Sequence, residues 1–245
     1  MKAMVLAAGV GSRLRPLTDQ RPKALLEIAG RPMLEIVLAR LAAAGVREVM
    51  VNVHHHAEQA ERYLRGCTHL GLRIEISREA ELLDTGGGLK KAAAFFAGTE
   101  PFFVHNADVV SGVDLRRLGE AHAASGAVAL LSVRERPASR LLLFDTEDRL
   151  CGWENPATGV RQWAAGPVAS VRRLGFDGIQ VLSPKIFNDF VETGAFSLTQ
   201  AYLRLAGQGK RILAWRADAY YWADIGSVDK LAAVERHVAA HGLPA

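Results

Sequence analysis

Cysteine is nearly absent from this sequence, with only Cys67 and Cys151 among 245 residues. Two thiols so far apart build neither a disulfide framework nor a zinc site. A reducing compartment suits such a chain, and a cytoplasmic setting is the expectation. The N-terminus lacks a basic segment followed by an apolar one, so no export signal is expected. No run approaches the ~20 apolar residues that a membrane span requires. Internal repeats, low-complexity segments and Pro/Gly/Ser linkers are missing too. Charge of one sign is scarce: 30 Lys and Arg against 26 Asp and Glu leave +4. That balance is mildly basic and only weak evidence for nucleic acid, which is not expected as a partner. It fits as well with a pocket for small polyanions.

What remains is ordinary globular composition, 49% hydrophobic and 23% charged, with enough length for one large α/β domain. Short apolar runs at residues 3–6, 48–53, 72–77, 102–105 and 127–133 read as strands. Between them lie helical stretches at 33–45, 57–64, 85–96 and 115–124, the third opened by Gly86-Gly87-Gly88. Strands and helices alternating at this spacing predict βαβ units around a mostly parallel sheet. After about residue 137 the texture changes. Residues 141–144 and 149–153 read as a hairpin around Glu147-Asp148, and 176–182 as a strand followed by a helix behind Ser183-Pro184. Further on, 197–206 reads as a helix, 211–214 and 220–222 as strands, and 227–240 as a closing helix carrying Leu231, Val234 and Val238 as core. The expected organisation is one domain over 1–245, made of two halves, 1–136 and 137–245.

The chemistry concentrates in residues 1–23. After the first strand, Leu6-Ala7-Ala8-Gly9-Val10-Gly11-Ser12 is small enough for a ligand to press on bare backbone, whose N–H groups suit phosphate oxygens. Arg13 and Lys23 add a guanidinium fork and a compact ammonium along the same loop. Two familiar phosphate motifs are excluded. The fingerprint G-x-G-x-x-G fails because Leu14 stands where its third glycine belongs, which disfavours a dinucleotide enzyme. A P-loop fails because no Gly-Lys-Ser/Thr follows. Elsewhere, Asp108 ends the strand that carries His105 and Asn106, where open α/β sheets bind ligands. His54-His55-His56 reads as a loop, because three consecutive side chains cannot all reach one ion.

The full string through Pro16-Leu17-Thr18 and on to Arg21-Pro22-Lys23 resembles the signature of the sugar-1-phosphate nucleotidylyltransferases. Asn106-Ala107-Asp108, Trp222-Ala223-Asp224-Ile225-Gly226-Ser227, Asp84-Thr85-Gly86-Gly87-Gly88 and Gly175-Phe176-Asp177-Gly178-Ile179 resemble further segments of that family. The resemblance implies a Rossmann-like three-layer sandwich with a mixed, mostly parallel sheet. It also implies a reaction joining an NTP to a sugar 1-phosphate with release of pyrophosphate. Arg13 and Lys23 would be catalytic. Leu6, Ala7, Ala8, Gly9, Gly11, Ser12, Thr85 and Gly86 would join them around the nucleotide. Asn106, Glu154 and Gly178 would contact the sugar phosphate, and Asp108 with Asp224 would hold Mg²⁺. Asn155 replaces a family lysine, leaving Arg140, Arg172 and Arg173 as alternatives for the acceptor phosphate. Among family members the chain looks closest to N-acetylmuramate-1-phosphate uridylyltransferases, which favours UTP. Guanylyltransferases of mannose or heptose 1-phosphate come next, with GTP. A nucleotide-sugar-binding regulatory protein is the reading from another class.

Overall fold

Strand β1 (Lys2–Leu6) is buried on both faces, as expected of a central parallel strand, with Ala3 and Val5 packed to one side and Met4 to the other. The computed structural model describes residues 1–98 and 100–244. After β1 come two 3₁₀ turns, Ser12–Leu14 and Lys23–Leu25, and a two-residue hairpin of β2 (Glu27–Ile28) and β3 (Arg31–Pro32). Helix α1 (Met33–Ala43) follows Pro32, and β4 (Glu48–Val53), α2 (Ala57–Gly66) and β5 (Arg73–Arg78) continue the alternation. Then come α3 (Asp84–Lys91), β6 (Phe102–Asn106), β7 (Val109–Ser111), α4 (Leu115–Ser125) and β8 (Ala129–Arg134).

The later chain supplies β9 (Leu141–Phe144), β10 (Leu150–Glu154), β11 (Arg161–Trp163) and the long β12 (Arg172–Leu182). It closes with α5 (Ile186–Asp189), α6 (Leu198–Gly207), β13 (Ile212–Arg216), β14 (Trp222–Asp224) and α7 (Val228–His241). Strands β5, β4, β1 and β6 lie side by side in parallel, and β8 pairs with β13 in parallel. Strand β12 joins the two groups, running antiparallel to β6, β8 and β9, so both halves of the chain share one sheet. Helices α1, α2 and α4 bury their apolar stripes on one face, and α3, α5 and α6 on the other. The alternation predicts the mostly parallel sheet, and the resemblance implies the mixed, three-layer arrangement seen here.

Some expected elements differ. The expected helix at 85–96 divides: α3 stops at Lys91 and a 3₁₀ turn covers Ala93–Phe96. Its three glycines lie inside α3 and are buried there. Strand 176–182 begins four residues earlier, at Arg172, because a bulge between Phe176 and Gln180 breaks the period that would reveal it. Short β7 pairs only with β14, outside the main sheet, and carries no periodic signal. The third apolar cluster sits there, where α7 lays Leu231, Val234 and Val238 against Leu14, Ile28, Val110 and Ile225.

Candidate active site

The C-terminal ends of β1 and β6 lie in register, Leu6 opposite Asn106, so the first loop and the Asn106–Asp108 turn share one rim. The N–H of Ala107 donates to Leu6 O at 3.0 Å and fastens the two. Ala7 N–H donates to Asn52 Oδ1 on β4. Beyond it the N–H groups of Ala8, Gly9 and Gly11 meet no acceptor among the described residues. A Cβ built on Gly9 would touch nothing, so that backbone lies open. At Gly11, with φ of +70°, a Cβ would crowd Thr18 Cγ2 and Lys23 Cβ. Thr18 Oγ1 donates to Gly11 O and closes the loop over Lys23.

Two adjoining cavities open along this rim. One, of 480 Å³, is lined by Leu6, Ala7, Ala8, Gly9, Lys23, Thr85 and Ala107, among others. The other, of 910 Å³, is lined by Arg13, Arg136, Arg140, Gly178, Trp222, Asp224 and Lys230, among others. Asp84, Asn106 and Asp108 belong to both walls. Asp224 comes close to Asp108 because β14 pairs Asp224 with Val109, and Ile225 N–H donates to Asp108 O.

Each carboxylate is engaged by its own lysine. Lys23 pairs with Asp108 while both stay partly buried, and Lys230 Nζ lies 2.6 Å from Asp224 Oδ2. Burial pushes the Asp224 carboxyl up. Hydrogen bonds from Lys230 and the Gly226 N–H, with the charges of Lys230 and Lys23, outweigh it and leave Asp224 below the usual carboxylate range. Arg13 is exposed and bonds to no described residue. A Cβ at Gly226 would fall 2.5 Å from Asp224 Oδ1 and 3.3 Å from Arg13 Nη2, so the missing side chain is what admits both groups.

The donor set suits one small hard cation. Two carboxylates supply oxygen ligands, and among the described residues no third Asp, Glu, His or Cys crowds them. Mg²⁺ is commonly held by one or two carboxylates, its other positions filled by water and phosphate.

In the wall of the larger cavity, Gly178 has φ of +75° and a Cβ there would lie 2.7 Å from Asn106 Nδ2, so glycine brings the β12 bulge against Asn106. Asp177 beside it is fully buried, held by the Arg134 fork at 2.8 and 3.0 Å and by Ser132 Oγ. Trp222 Nε1 donates to Asp177 O and ties β14 to the same bulge.

Several expected contacts sit elsewhere. Glu154 lines neither cavity; it is buried in ion pairs with Arg161 and Arg173, which corrects its expected place beside the sugar. Gly86 is likewise inside α3, its N–H donating to Phe196 O, and presents no face to either cavity. Ser12 and Gly11 shape the loop without lining a cavity. Thr85 does line the smaller one, but its Oγ1 accepts from Leu198 N–H at the start of α6. Of the three arginines expected to replace the lysine at position 155, Arg172 pairs with Asp148 and Arg173 with Glu154, while Arg140 lines the larger cavity. Sequence reasoning missed Arg136 and Lys230. The signal for Lys230 was available, since Ser227 caps α7 and sets Lys230 one turn on, beside Asp224.

Comparison with known proteins gives the family and the fold. The nucleotidyl transferase family model matches residues 2–241. An N-acetylmuramate alpha-1-phosphate uridylyltransferase of Caulobacter vibrioides is 38% identical, over 97% of this chain and 96% of the relative. The mannose-1-phosphate guanylyltransferase catalytic subunit beta of Drosophila melanogaster is 31% identical over 92% of this chain, which spans 59% of that protein. Among solved structures, HddC from Yersinia pseudotuberculosis complexed with GMP-PN superposes with a TM-score of 0.75. It is 20% identical, over 96% of this chain and 98% of that one, a likeness of fold.

Proposed function

The chain belongs to the nucleotidyl transferase family, and from that premise we propose that it condenses UTP with N-acetylmuramate 1-phosphate, releasing pyrophosphate. The observation that carries the reading is the convergence on one crevice of Arg13, Lys23, Asp108 and Asp224, drawn from three distant stretches of chain. The similarity to the Caulobacter uridylyltransferase along nearly the whole length supports uridylyl transfer. The Drosophila guanylyltransferase supports the second reading, GTP with mannose 1-phosphate.

In this reading the sugar-phosphate oxygen attacks the α-phosphorus in line. A phosphate monoester is already anionic, so no general base is needed and catalysis rests on positioning and charge neutralisation. The open N–H groups of the first loop receive the triphosphate. Lys23 leaves Asp108 to hold the α-phosphate against the incoming phosphate. Arg13, which bonds to no described residue, stabilises the departing pyrophosphate. Asn106, whose side chain bonds to no described residue, and the backbone at Gly178 orient the sugar. Mg²⁺ held by Asp108 and Asp224 would neutralise charge gathering on the phosphates. Residues 1–136 would serve the nucleotide and 137–245 the sugar phosphate, within one domain. Among the described residues no helix is long and apolar enough to cross a membrane; with Cys67 and Cys151 both unpaired, a cytoplasmic enzyme is the consistent setting.

Pyrophosphate release with four NTPs against a panel of sugar 1-phosphates tests this. UTP with N-acetylmuramate 1-phosphate should give the highest kcat/KM. A higher value for GTP with mannose 1-phosphate would replace it with the guanylyl reading. NTP binding without turnover of any pair would leave a regulatory binder.

A further inference from the structure

Arginines on this side of the molecule are almost all matched to acids. Arg134 forks onto Asp177, Arg161 and Arg173 share Glu154, Arg172 takes Asp148, and Arg204 takes Glu192. Along residues 134–204, Arg136 and Arg140 are the two arginines that have no acid partner among the described residues. Arg136 is half-buried yet pairs with no carboxylate; one Nη donates to Phe176 O at 2.7 Å and the other to Pro137 O, while its buried Nε meets no acceptor. Its guanidinium is nevertheless held in place. The Trp222 ring lies 4.1 Å away, and a Cβ on Gly175 would come within 2.8 Å of its Cγ and Nε, so the strand is bare where the arginine rests. Burial pulls the Arg136 guanidinium below its ordinary range, against the pull of Asp177 and Asp224. Neither acid is available to it as a partner: Arg134 holds the first and Lys230 the second. Arg140, exposed, bonds to no described residue. Both arginines line the larger cavity together with Asn106 and Gly178.

We propose that Arg136 and Arg140 form an anion site at the sugar end of the crevice, binding a negatively charged oxygen group of the sugar substrate and setting which sugar phosphates are accepted. The inference rests on the reading of this crevice as a sugar-1-phosphate site. A guanidinium fork matches carboxylate and phosphate alike. Two sources therefore fit: the phosphate on the anomeric carbon, or a carboxylate carried on the sugar ring. A half-buried cation seated on an aromatic face and a bare strand, without a protein counter-charge, is matched only when substrate arrives.

The test compares steady-state kinetics of wild type, Arg136→Met, Arg136→Lys and Arg140→Gln. The two substrates are N-acetylmuramate 1-phosphate and N-acetylglucosamine 1-phosphate, which lacks the carboxylate. Arg136→Met should raise KM for the acidic sugar phosphate about ten-fold or more while kcat and the KM for NTP hold within about two-fold. Arg140→Gln should raise it less, and Arg136→Lys should restore part of the loss. A rise confined to the acidic sugar identifies the carboxylate as the group bound; an equal rise for both identifies the phosphate. Unchanged KM values for both sugars in folded variants overturn the proposal. Should Arg136→Met fail to fold, the exposed Arg140→Gln decides in its place. If wild type turns over no pair, the function proposed above fails, and calorimetric binding of the two sugar phosphates decides this inference separately. Binding that Arg136→Met loses supports it; absent or equal binding overturns it.

Discussion

Two glycine-bearing stretches, one in the first loop and one packed behind Asp84 and Thr85, are glycine for opposite reasons. Gly9 stands at an edge with nothing within reach of a Cβ, leaving backbone N–H groups free to meet a ligand. Gly86, Gly87 and Gly88 are buried inside α3, and each is glycine because the protein itself fills the space. A Cβ at Gly86 would collide with the Phe196 ring, at Gly87 with Gly194 O, and at Gly88 with Asn52 Nδ2 and Glu79 Oε1. Glycine costs roughly 1 kcal/mol per helical position relative to alanine, so tertiary packing overrides propensity three times in succession here. Identical residues thus leave backbone open in one place and permit close packing in the other. Composition alone cannot separate the two.

The largest effect that would break this contrast is on stability. Gly87→Ala drives a methyl into a backbone carbonyl that cannot swing aside, and should cost about 3 kcal/mol or more. Thermal denaturation should show this as a Tm lower by roughly 6–12 °C; an unchanged Tm would mean that α3 is not packed as described. Next, Lys23→Met should lower kcat about a hundred-fold with Tm nearly unchanged, because the lysine's partner Asp108 retains solvent access. Equal losses of stability and turnover would assign Lys23 to the fold instead. Gly9→Ala should be smaller and of one kind only: about ten-fold weaker NTP binding by calorimetry, with Tm unmoved.

The smallest effect sharpens the contrast through pH. His105, on β6 beside Asn106, is fully buried, and burial lowers its pKa from 6.5 to about 4. It stays neutral in the folded protein while the unfolded chain takes up its proton. The histidine therefore leaves stability untouched above pH 6.5 and destabilises as pH falls below it, levelling off under about pH 4. Between pH 7 and pH 6 the loss should be ~0.7 kcal/mol. Denaturant titrations of wild type and His105→Gln at the two pH values should differ by that amount. Parallel curves would show that the group carries no such linkage.

Much of this was legible before the structure. Strand β4 falls on the expected residues 48–53, since six apolar-rich positions between turns admit little else. The closing helix expected at 227–240 is α7, and Ser227 ahead of it accepts from Lys230 N–H. The wall of the larger cavity and its surroundings were less legible. Glu154 belongs to a motif-like stretch, yet nothing in its neighbours announces that Arg161 and Arg173 would claim both oxygens. Arg136 carried no signal, because its isolation depends on Arg134 reaching Asp177 first, across paired strands.

Local order along the chain was enough to determine that this protein has alternating strands and helices, an open small-residue loop after β1, and two cations placed within it. Those properties depend on neighbours a few residues apart, where side-chain size and period act directly. The tertiary structure decided which charges are matched and which are left over: Asp108 with Lys23, Asp224 with Lys230, Asp177 with Arg134, and Arg136 with no acid. Such pairings are contests among groups from distant segments, settled by burial and reach once the sheet has brought them together.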